Sequence, residues 1–179
     1  MYNIFVYFIV CGFVGWIFET TVVLIRSGKM TERGLFFVHH NLINNFPIVW
    51  GLPVIPIYGI GGCLIVLSFG KIKKHPVVIF FIGMISMTLF ELASSYLCEF
   101  FLNEEYWNYS SDILNFQGRI CLRSSLAWGL LSVLAVKFLK PKLEIIYTKT
   151  RHVDNYRIYI KILMVYTFVC VCVNLFMNR

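Results

Sequence analysis

Long apolar runs separated by short polar stretches set the pattern of this chain. Five runs are long enough, at about 20 residues, to cross the hydrocarbon of a bilayer. They cover about residues 2–25, 46–69, 76–102, 119–139 and 158–177. The apolar positions do not alternate with period two, as barrel strands would, so helices are expected. The pattern predicts an all-α integral membrane bundle of about five transmembrane helices, forming a single domain over 1–179. Pro53 and Pro56 interrupt the second run. Each removes a backbone donor, so carbonyls left over there must find partners in protein or water. Gly12 and Gly15 in the first run, and Gly59, Gly61 and Gly62 in the second, suit close helix approach. The first run lacks a basic leader and a small-residue cleavage site, so it reads as a span rather than a cleaved signal.

Composition narrows the function. Of 179 residues, 59% are hydrophobic and 14% charged, against roughly 25% charged in soluble domains. A soluble globule, a disordered chain, collagen and a disulfide-rich secreted scaffold are all excluded. No G-x-x-x-x-G-K-[ST] phosphate loop occurs, and no polar stretch is long enough for a nucleotide-binding domain, which argues against a self-sufficient ATP-driven machine. The net charge of +7 calls for no nucleic acid, because loop topology and anionic headgroups account for it. Eight basic residues fall in the stretches 70–75 and 140–157, against five on the opposite side (Arg26, Lys29, Arg33, Arg119 and Arg179). The bias predicts a multi-pass protein of the cell membrane with its N-terminus cytoplasmic. The six cysteines lie in or beside apolar runs and form no C-x-x-C, so they read as small buried hydrophobes, with a Cys98–Cys121 bridge left open. His39 and His40 adjoin without i, i+4 spacing, so neither a metal site nor a cofactor is expected.

The polar residues inside the runs carry the chemistry. An ionised group at mid-bilayer costs roughly 2.5–3.5 kcal/mol, so such groups pair, face the bundle or line a wet cavity. Glu91, Ser95 and Glu99 recur every four residues and share a helix face; Arg119 and Arg123 do the same in the fourth run. Glu19 and Arg123 lie at matched depth and are expected to pair, and Tyr58 is placed to donate to Glu91. All these groups gather toward one side of the bundle, the outer half under the predicted orientation. Structural ion pairs and a cavity for a polar solute both remain open. The segment 103–118 is acidic and aromatic. Its Tyr106, Trp107 and Tyr109 suit either a headgroup-layer anchor or a lid. No nucleophile–base pair with recognisable spacing appears, which argues against an enzyme.

Several of these residues stand in a familiar order. Gly15-Trp16-Ile17-Phe18-Glu19 is followed by Glu32-Arg33-Gly34-Leu35-Phe36, then by Pro53-Val54-Ile55-Pro56-Ile57-Tyr58-Gly59. Glu91, Trp107-Asn108-Tyr109-Ser110 and Asn115-Phe116-Gln117-Gly118-Arg119-Ile120-Cys121-Leu122 complete the set. Over about residues 10–130 the chain resembles the bacterial membrane family of Putative ABC-transporter type IV, or CmpB-like, permeases. It departs from that pattern at Glu32, Leu52, Ile55 and Asn108, and by the intervening segment 38–50. The resemblance implies a transport permease or transporter subunit, with a separate ATPase subunit if ATP drives it. Its substrate-binding or proton-coupling candidates are Glu19, Arg33, Tyr58, Glu91, Trp107, Arg119 and Arg123. Membrane lipids are the surrounding partner, and five spans are few for a lone carrier, so a homo-oligomer is expected. The alternative is a membrane enzyme or lipid-headgroup-binding protein using the same Glu/Arg cluster. A third option is an assembly partner in which the cluster is structural.

Overall fold

The computed structural model describes residues 2–28, 34–39, 48–69 and 75–177. The chain is helical, as the apolar pattern predicts, with one short hairpin: α1 (Tyr2–Ser27), β1 (Leu35–His39), β2 (Ile48–Leu52), α2 (Pro56–Phe69), α3 (Pro76–Leu102), α4 (Leu122–Leu134), a π-helical stretch (Ala135–Leu139), α5 (Lys140–Thr150) and α6 (Asp154–Met177). Among the described residues, four helices are long and apolar enough to cross a membrane: Asn3–Ser27, Pro76–Leu102, Leu122–Thr150 and Asn155–Val173. The chain divides into two compact units, residues 1–60 with 145–179, and residues 61–144.

The first unit holds α1, the hairpin, the start of α2 and α6. The second run, expected as a Pro-interrupted helix, is β2 followed by a 14-residue helix. Pro56 does not kink that helix; it is the first residue of it, where its missing N–H removes no helical bond. The β-branched and aromatic run Ile48-Val49-Trp50 suits a strand. It pairs antiparallel with β1, from Leu35 opposite Leu52 to His39 opposite Ile48. The residues between the strands, His40 included, lie outside the described set. Leu35 and Cys170 of α6 form a buried core with Leu52, Val171 and Val173, and the Gly51 N–H donates to the Tyr166 hydroxyl at 3.1 Å. The linker to α2 crosses the middle of α1: the Ile55 N–H donates to the Gly12 carbonyl at 3.2 Å.

The second unit is built on α3 and α4. Pro76 opens α3, the His75 ring accepts from the Val77 N–H, and Asn103, in the left-handed region at φ 55°, closes it. The helix α4 runs back along α3, with Gly83 against Ser132 and Phe90 edge-on to Trp128 at 6.5 Å. A capping box of Cys121 and Ser124 sets its start at Leu122. Arg119 therefore lies in the preceding loop and does not share a helix face with Arg123, although the i, i+4 spacing predicts that it does. Cys98 and Cys121 are separate thiols. At the far end the helix continues through residues expected to form a loop. Pro141 would crowd the Lys137 carbonyl in a regular helix, and the π-helical stretch precedes it.

Candidate functional site

The i, i+4 stripe of α3 carries the polar centre of the second unit. Glu91 is buried, 4% exposed, in a 27-residue apolar helix. The Tyr109 hydroxyl, reaching in from the loop between α3 and α4, donates to Glu91 Oε1 at 3.0 Å. One turn on, Ser95 Oγ accepts from Arg119 Nη1 at 2.9 Å. A further turn on, Glu99 forms a salt bridge with Arg119 Nη2. The Glu99 carboxylate, hydrogen-bonded to it, holds the Arg119 guanidinium above its ordinary pKa. The same guanidinium stacks 4.2 Å over the Tyr96 ring, and the Tyr96 hydroxyl donates to Gln117. Arg123, on the first turn of α4, pairs with Asp112 at 3.0 Å and lies 5.8 Å from the Tyr109 ring centroid. Trp107 binds by its indole N–H to the Arg119 carbonyl at 2.8 Å. It therefore braces the loop.

The first unit has its own polar contact. The Tyr58 hydroxyl donates to Glu19 Oε2 at 2.8 Å, so the phenol expected on Glu91 is on Glu19 instead. Gly15 makes room for it, because a Cβ there would sit 2.2 Å from the Tyr58 ring. Glu19, expected to pair with Arg123, accepts from Tyr58, and Arg123 pairs with Asp112. Arg33 lies outside the described residues.

Sequence reasoning missed Tyr109 as the partner of Glu91, and Asp112 as the partner of Arg123. A signal for them was present. Five of the nine acidic residues fall from Glu91 to Asp112, a stretch with no basic residue, so their partners had to come from the polar groups of the loop and the residues after it.

A family model matches residues 6–178, nearly the whole chain. The chain belongs to the Putative ABC-transporter type IV family. No curated protein and no solved structure matches it. In this member of the Putative ABC-transporter type IV family, the motif residues Trp107, Tyr109 and Arg119 meet around one end of α3 and α4. Glu19 and Tyr58 meet beside the start of α2.

Proposed function

We propose that the chain is a membrane permease, or the membrane subunit of a transporter, with a polar solute-binding or proton-coupling site at Glu91. Membership of a transporter family and four helices of spanning length support the class. Glu91 carries the site: a carboxyl group buried in an apolar helix, capped by a phenol that belongs to a loop rather than to a spanning helix. Displacing Tyr109 would let water or a cationic group reach it. Arg119, Arg123 and Trp107 hold the loop in register, while Glu19 and Tyr58 form the second candidate locus; Arg33 stays a candidate on its sequence motif alone. A lipid-headgroup site asks for guanidinium groups open to a phosphate. Both arginines are engaged by carboxylates, which favours the permease reading.

The orientation follows from the basic residues. The N-terminus and the stretches 70–75 and 140–157 face the cytoplasm of the cell, and a separate ATPase would dock there. The second crossing is composite. From the level of Gly12, α2 covers about 21 Å, and residues 48–55 cover the remaining depth. A homo-oligomer within the lipid bilayer completes the assembly.

The test is solute uptake by cells carrying Glu91→Gln. The substitution preserves shape and the acceptor for Tyr109 while removing the titrating proton. Expression and folding should be those of wild type, with uptake lost; full uptake would reject the site. A pull-down from native membranes that recovers no ATPase would remove the ATP-driven version.

A further inference from the structure

The loop 103–121 closes on itself through its own polar groups: Asn108 Oδ1 accepts from the Ser110 N–H at 2.8 Å, Asn115 Nδ2 donates to the Asp112 carbonyl at 3.0 Å, and Asn115 Oδ1 accepts from the Gly118 N–H at 3.1 Å. The Asp112 side chain, 13% exposed, is turned in to Arg123. The apolar side chains point out. Ile113 is 80% exposed, Leu114 74% and Phe116 51%. Leu114 also adopts the left-handed conformation, at φ 52°, which is unfavourable for a residue with a Cβ. In water that arrangement has no compensation. Conformational cost and apolar exposure fall on the same residue, where Gly or Asn would ordinarily stand.

We propose that Ile113, Leu114 and Phe116 are a bilayer anchor, inserted into the headgroup layer and upper acyl region of the membrane that the helices cross. The tip is continuous with lipid-facing surface: the loop leaves α3 directly after Phe100 and Phe101, which are 82% and 69% exposed, and rejoins α4 at exposed Leu122 and Leu126. Residues 113–118 carry no charge, so their insertion strands no ion in hydrocarbon. A second copy of the chain is a poorer occupant. Three side chains on one convex turn fall far short of the roughly 800 Å² per partner of a stable protein interface. At the tip itself, both polar ends of the Asn115 amide are bonded within the loop.

The anchor is tested in liposomes of phosphatidylcholine and phosphatidylglycerol. A nitroxide is placed at 113, 114 or 116 through a genetically encoded amino acid, leaving the native cysteines in place. Its collisions with oxygen, concentrated in lipid, are compared with those with a water-soluble nickel chelate. Dominance of oxygen at all three positions is expected. Dominance of the nickel chelate would place the tip in water and overturn the anchor. Shielding from both reagents would show a protein contact, such as a second copy, and would overturn it equally. Leu114→Asn gives a second reading, because Asn tolerates the left-handed conformation and the loop keeps its fold. A label at 113 should then move toward the aqueous reagent. An unchanged ratio would show that the leucine does not hold the tip in the membrane.

Discussion

Both candidate loci bring a phenol to a helix carboxyl group: Glu19 accepts from Tyr58, and Glu91 from Tyr109. A neutral donor suits a low-dielectric site, since the hydrogen bond survives whether or not the carboxyl is ionised. Tyr58→Phe removes the donor while keeping the ring over Gly15. It should lower stability in detergent by about 1–3 kcal/mol, the range for hydrogen bonds to charged groups and for stranded acceptors. Glu19→Gln should cost less, because the amide oxygen accepts the same bond. Thermal unfolding of the two variants measures this, and a Tyr58→Phe protein as stable as wild type would show that the contact contributes nothing. At the other locus the arginine bridges serve the loop. Arg123, whose side chain is 44% exposed, sits where an ion pair contributes only about 0–1 kcal/mol.

At the scale of elements, the packing of α4 on α3 leaves no room for a side chain at Gly83. A Cβ on Gly83 would stand 2.2 Å from Ser132 Oγ, and Ser132 is fully buried. Gly83→Ala should therefore cost about 1–3 kcal/mol through overpacking, and Ser132→Gly should restore part of it. Denaturation of the single and double variants would show this, and additive losses would mean that the helices separate there. The sequence made α1 and α3 readable, because their apolar runs are uninterrupted and end near Gly28 and Asn103, both at positive φ. The stripe of Glu91, Ser95 and Glu99 was readable for the same reason: helical period fixes a face without any tertiary knowledge. The hairpin was not. Ile48-Val49-Trp50 is as apolar as the helix after it, and periodicity alone does not separate a short buried strand from a helical turn. Nor were the partners of the stripe. Tyr109 and Asp112 reach Glu91 and Arg123 only through a loop whose turns at Leu114 and Gln117 put residues with side chains in the left-handed region, which composition does not announce.

The molecule as a whole is electrically divided along its sequence. From Pro76 to Leu134 five carboxyl groups face two arginines, whereas the chain overall is +7. Positive charge thus concentrates in the segments proposed to be cytoplasmic, and negative charge near the loop proposed to lie outside. Thiol-reactive reagents should modify a cysteine introduced at Glu104 in intact cells, and one at Thr150 only after permeabilisation, in a background without the native cysteines. The reverse result would invert the orientation. One local irregularity bears on this arrangement. The π-helical stretch Ala135–Leu139 lies between α4, with its buried Trp128 and Ser132, and α5, which has no buried residue. Each residue advances a helix by about 100°, and one more residue in a turn resets the angular phase of everything beyond it. Removing a single residue there would swing Lys140, Lys142 and Glu144 about a third of the way around the helix axis, yet leave α4 in place. At this point in the chain the constraint falls on the number of residues, and a frame-preserving deletion would do what no substitution does.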